Sequence, residues 1–109
     1  MAKTSPKYLQ GTVELLILKV LSRRPLHGYG IAKWLGDETE GVLELEDATL
    51  YQALHRLENR EWVEAQWAQT DTGRRAKQYH LTDAGRKRLE SGSRGFRSYA
   101  AAVLKILET

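Results

Sequence analysis

The chain has 109 residues, with 17 Lys and Arg against 14 Asp and Glu, a net charge of +3 and no cysteine. That length is one domain with a core of its own, and the composition is that of a folded, globular chain. The missing cysteines exclude disulfide scaffolds, thiol nucleophiles and thiolate metal sites, and no unbroken apolar run, residues 15–18 included, comes near the length needed to span a bilayer. The lysines near the start have no long apolar stretch behind them, so the expectation is a cytoplasmic protein without a signal peptide.

Residues 1–10 are polar, and Pro6 argues against an early helix, so a flexible lead is expected there. Thr12 then caps a first helix over residues 11–22, where Val13, Leu16, Ile17, Val20 and Leu21 recur at helical spacing. Leu15 and Leu18 add a second apolar face, so this helix is expected to be covered from two sides. A second helix is predicted over residues 27–38 with Ile31, Trp34 and Leu35 inward. Gly28 and Gly30 in its first turn imply either a close backbone approach or a loosely wound start. A third helix over residues 47–60 has Leu50, Leu54 and Leu57 in one narrow arc. Its opposite arc carries Ala48, Gln52, His55 and Asn59, flanked by Tyr51 and Arg56.

The period then changes to two. Val63, Ala65 and Trp67 alternate with more polar neighbours, and Tyr79 and Leu81 do so less cleanly. The turn-forming residues 69–74 lie between them, which predicts a β-hairpin. Thr82 caps a final helix with Asp83 in its first turn. Phe96, Tyr99, Ala100, Val103, Leu104 and Leu107 form a long apolar stripe, and Ser91, Gly92, Ser93 and Gly95 predict a bend before it. The expected fold is α+β and mostly helical. It comprises a flexible segment (1–10), a three-helix domain with a two-stranded wing (11–81) and a C-terminal helix (82–109).

Charge is unevenly spread. Residues 36–47 carry six acids and no base, read as a solvated loop, whereas residues 74–88 carry six bases against Asp83 alone. Arg74 and Arg75 at the hairpin tip can reach phosphates or a minor groove. In a helix-turn-helix the second helix of the pair enters the major groove, here the third helix of the chain. Gln52 can pair an adenine edge, Arg56 a guanine or a phosphate, and His55 either kind of partner; Thr49 and Tyr51 can donate to phosphates. Glu46 and Asp47 oppose that reading unless they serve the helix N-terminus. Enzyme readings lack support: His27, His55 and His80 have no local ligand spacing, HGYG is too short for a phosphate loop, and no cofactor is expected. Three Trp and five Tyr are many for this length, enough to fill the core and also line a pocket or a dimer seam.

Three blocks, LHGYGIAKWL (26–35), ATLYQALHRLE (48–58) and RRAKQYHLTDAGRKRLE (74–90), resemble the signature regions of PadR-family transcriptional regulators, and the wording of the last two is most similar to an acidobacterial PadR-like subgroup. The resemblance covers residues 11–90 and implies a winged helix-turn-helix that binds an inverted-repeat operator in double-stranded DNA as a homodimer, usually as a repressor. It places Tyr29 and Tyr51 near the DNA backbone and makes Arg74, Arg75 and Lys77 the wing bases. With Lys33, Ala48, Thr49, Gln52, His55 and Arg56 these form the expected DNA-binding set. The expected dimer seam joins the first and last helices through Val13, Leu16, Ile17, Phe96, Tyr99, Val103 and Leu107. Relatives of this type often respond to aromatic compounds, so a planar effector at the dimer seam is the alternative reading; a winged helix used only for protein contact is a third.

The sequence departs from the family pattern at Ala48, where glycine is frequent, at Gln52, where proline is frequent, and at Glu61, where glycine usually closes the recognition helix. Glutamate takes a left-handed cap only at a cost, so the expectation is that this helix ends differently, with Asn59 or Arg60 adapting.

Overall fold

The computed structural model describes residues 6–109 and runs α1 (Pro6–Arg23), β1 (Leu26–His27), α2 (Gly28–Glu38), α3 (Asp47–Asn59), β2 (Val63–Gln69), β3 (Arg75–Leu81) and α4 (Asp83–Leu107). Val13, Ile17, Leu18, Val20 and Leu21 of α1 are buried, and the helix packs against α2, α3, α4 and β3. Its double apolar face is thus covered by the protomer itself. Ile31 and Leu35 of α2, Leu50, Ala53, Leu54 and Leu57 of α3, Val63, Tyr79 and Leu89 complete the core. Each fully buried aliphatic side chain is worth about 1.5–3 kcal/mol relative to exposure.

One boundary and one added element differ from expectation. The first helix starts at Pro6 rather than at residue 11, so residues 6–10 are helical and Thr12 lies inside the helix. Proline is compatible with a first turn, where its missing N–H has no intrahelical partner to lose. The remainder of the predicted lead, residues 1–5, lies outside the described residues. A short strand, β1, was not legible: two residues carry no periodicity, and it exists only because β3 lies alongside. The sheet has order β1-β3-β2 and is antiparallel throughout, with Leu26 opposite Tyr79 and Ala65 opposite Tyr79 on the other side.

The end of α3 corrects the expectation about Glu61. Its backbone does take the left-handed conformation, φ 61°. The Trp62 N–H donates to the Leu57 carbonyl at 3.0 Å and the Glu61 N–H to that of Glu58 at 2.9 Å. This is the double hydrogen bond of a Schellman cap, made here without glycine. Trp62 completes it by packing on the core, and the guanidinium groups of Arg60 and Arg88 each lie 5.1 Å from its ring centroid.

Thr82 then starts α4 as expected: its Oγ1 accepts from the Gly85 N–H at 3.0 Å and donates to the Glu61 carbonyl at 2.8 Å. A Cβ at Gly85 would lie against the Trp62 carbonyl oxygen, inside contact distance, and 2.7 Å from Leu81 Cδ1. α4 is a single helix of 25 residues across the stretch expected to bend. The glycine there has a packing role instead, since a Cβ at Gly92 would come within 2.9 Å of Leu15 on α1.

Candidate nucleic-acid interface

α2 and α3 are joined by residues 39–46, and the joint is held by one side chain. Thr39 Oγ1 donates to the Leu35 carbonyl at 2.7 Å and accepts from the Leu43 N–H at 3.0 Å. Glu40 (φ 54°) and Gly41 (φ 84°) turn the chain in left-handed backbone between these bonds. With the apolar stripes of α2 and α3 fixed in the core, the polar arc of α3 is left outward. Ala48, Tyr51, Gln52 and His55 are exposed and Arg56 half-buried, and together they line a shallow depression. Asp47 sits in the first turn of α3, where a negative charge is favourable, while Glu46 makes no side-chain cap.

A second hollow of about 910 Å³ opens beside this face. The N-terminus of α2 (Gly28, Tyr29, Gly30), Tyr51 of α3, and Arg74, Arg75 and Lys77 of the wing all line it. Tyr51 belongs to both hollows, so they form one continuous surface. The three wing cations face one acid, Asp71, in this cleft, and the helix N-terminus adds partial positive charge. An anion is the natural occupant of such a place. Gly28 is required by the Tyr51 ring, since a Cβ there would stand 2.6 Å from the phenol oxygen. The close approach is therefore by a side chain of the neighbouring helix.

The wing is built to be stiff. The Thr70 N–H donates to the Arg74 carbonyl at 2.7 Å, the Gly73 N–H to the Thr70 carbonyl at 2.9 Å, and the Arg74 N–H to Thr70 Oγ1 at 3.2 Å. Gly73, at φ 84°, supplies the left-handed step of this three-residue loop. The Arg75 guanidinium lies 5.2 Å from the ring centroid of exposed Trp67. At the wing's inner edge, His27 Nδ1 and the Lys77 carbonyl are 3.2 Å apart, linking β1 to β3. Burial pushes the Tyr79 phenol above its ordinary value, with the negative charge of Glu58 adding to the effect.

Not all expected contacts converge. Lys33 and Thr49 line neither hollow. Lys33 pairs with Asp37 one turn on, 2.9 Å away, and that hydrogen bond raises its pKa. Arg56 Nε donates to Glu14 Oε2 of α1 at 2.6 Å, so its charge is already matched. That pair and β1 escaped the sequence reading because each depends on partners brought together by folding, whereas the Thr39 joint is local, with both partners four residues away.

The expected dimer residues divide as well. Val13 and Ile17 are 1% and 0% exposed within the protomer, so they have no surface to offer a second copy. They pack the core that α1 shares with its four neighbours. Leu16 is half-buried, whereas Phe96, Tyr99, Val103 and Leu107 are exposed along the distal half of α4.

Three helices, the second and third forming a pinned helix-turn-helix, followed by a basic hairpin, define a winged helix-turn-helix, a DNA-binding class. A model of the transcriptional regulator PadR-like family matches residues 17–91, and the chain belongs to that family. The solved structure of TA0346 from Thermoplasma acidophilum is 30% identical with a TM-score of 0.81, covering 94% of this chain and 97% of that one. A PadR-family transcriptional regulator from Eggerthella lenta is also 30% identical, TM-score 0.79, over 94% of this chain and 88% of that one. An uncharacterised protein of Lysinibacillus sphaericus is 28% identical over 78 residues, 72% of each chain. The family is one of transcriptional regulators that bind DNA, not of enzymes. Among the described residues no helix is long and apolar enough to cross a membrane.

Proposed function

We propose that the chain is a homodimeric repressor that binds an inverted-repeat operator, with α3 in the major groove and the wing on the flanking backbone or minor groove. The observation that carries this reading is the continuity of the polar face of α3 with the cationic cleft between α2 and the wing, through Tyr51. Gln52 and His55 meet base edges, while Tyr29, Tyr51, Arg74, Arg75 and Lys77 hold phosphates. The exposed apolar residues Phe96, Tyr99, Val103 and Leu107 on α4, with Leu16 of α1 at the margin, supply the seam to a second copy. A bacterial repressor of this kind works in the cytoplasm, on the nucleoid.

Selection from a random duplex pool at physiological salt tests the reading. The expected result is enrichment of an inverted repeat whose half-sites lie about one helical turn apart, or a multiple of that. Binding without enrichment refutes base reading by α3, and an empty bound fraction refutes DNA binding itself.

A second reading adds a planar aromatic effector at the dimer seam. It is favoured by a cleft of about 540 Å³ between α1 and α4 lined by Trp62, Phe96, Tyr99, Leu15 and Leu18. Trp62 makes it testable by fluorescence: a planar ligand seated there quenches emission, and an unchanged signal across a broad panel refutes it.

A further inference from the structure

Two side-chain ion pairs occur among the described residues, and they differ in kind. Lys33 and Asp37 are local and widely exposed, 59% and 65% for the side chains. Glu14 and Arg56 are 42 residues apart in sequence, join α1 to α3, and are 26% and 36% exposed. Arg56 also lines the outward depression on α3 with Ala48, Tyr51, Gln52 and His55. The one long-range ion pair thus ends on the face that the proposed function assigns to DNA.

The bond engages Nε only. An arginine fork has five N–H donors, so the four on its two Nη groups stay available. Among the described residues no other side chain hydrogen-bonds to this guanidinium. Two consequences follow. The carboxylate cancels the charge that would otherwise draw Arg56 to any phosphate. It also holds the guanidinium through Nε, which lowers the ordering cost of a bidentate contact through the Nη groups. A neutralised, oriented fork is suited to guanine O6 and N7, and unsuited to the phosphate backbone.

We infer that Glu14 is a positioning residue for sequence recognition: it turns Arg56 from a phosphate-seeking charge into a base-reading donor. The inference rests on the reading that α3 contacts DNA. It makes Arg56 unlike Arg74 and Arg75, which share their cleft with Asp71 but form no side-chain ion pair among the described residues, and act through charge.

The test measures binding as a function of salt for two probes, a random duplex and the duplex that the wild-type protein enriches. Each phosphate contact steepens the plot of log affinity against log salt by about 0.9. Glu14→Ala is expected to tighten binding to the random duplex and steepen its slope by about 0.9. The preference for the enriched duplex falls roughly tenfold, within the 5- to 150-fold that one good bidentate contact supplies. Glu14→Gln is expected to steepen the slope as Glu14→Ala does but to lose less of the preference, because the charge is gone while the amide oxygen still accepts from Nε. In an Arg56→Met background Glu14→Ala changes neither quantity. Thermal melts establish that each variant is folded at the assay temperature. Unchanged slope and preference in Glu14→Ala overturn the inference, as does equal steepening in the Arg56→Met background, which would mean that any acid near DNA acts the same way. A wild-type protein that enriches no sequence removes the α3 reading first and this inference with it, so the two failures are distinguishable.

Discussion

Glu61→Gly is expected to stabilise the protein. Glu61 holds φ 61° at the end of α3 and is exposed. An L-residue in left-handed backbone costs about 1–2 kcal/mol, which glycine avoids. Glycine gives back about 0.5–1 kcal/mol through the greater freedom of the unfolded chain. The balance is a gain of about 0.5–1 kcal/mol. The cap hydrogen bonds from Trp62 to Leu57 and from Glu61 to Glu58 are made by the backbone, so the substitution leaves them in place. At about 2.1 cal/mol/K of unfolding entropy per residue, that gain raises Tm by about 2–4 °C for a chain of this size. The assay is thermal unfolding by circular dichroism, beside Glu61→Ala, which keeps the backbone cost and is expected to move Tm by less than about 1 °C. A Tm for Glu61→Gly equal to or below the wild type refutes the assignment of strain to this cap.

Gly85→Ala is expected to lose at least about 1–3 kcal/mol in urea unfolding, because a Cβ meets the Trp62 backbone, which cannot rotate away; an unchanged midpoint contradicts the close approach. The Tyr79 phenol titrates above its ordinary value when folded, so the unfolded chain loses that proton first. Stability is therefore retained below pH about 10 and falls as pH rises beyond it. Tyr79→Phe is expected to lessen that alkaline fall, and equal pH dependence in both proteins contradicts it. Replacing Arg74 and Arg75 together by Ala is expected to weaken binding to all duplexes alike and to flatten the salt slope by up to about 1.8, whereas a sequence-selective loss would make these residues base readers. The pair Val103→Glu and Leu107→Glu, on the exposed face of α4, is expected to shift sedimentation toward the monomer with the helical circular dichroism kept; an unchanged sedimentation coefficient places the seam elsewhere.

The sequence by itself determined the identity and order of α1 to α4 and of the hairpin, because each has a period that survives without neighbours. Leu50, Leu54 and Leu57 fall on one side of any helix drawn through them, and Thr82 with Asp83 marks a helix start by local hydrogen bonding alone. The same periodicity put Ala48, Tyr51, Gln52 and His55 on the outward face, where the structure exposes them. Apolar periodicity does not say what covers a face, and there tertiary structure decided. Val13 and Ile17, read as a seam, fill the core between α1 and its neighbours. Local cost likewise did not decide the cap at Glu61: the left-handed step is held by the Trp62 and Thr82 contacts on either side, whose combined hydrogen bonds and packing outweigh about 1–2 kcal/mol of backbone strain. The Glu14–Arg56 pair and the two-residue strand β1 have no local signal at all, since their partners are 42 and about 50 residues away and meet only when the chain folds.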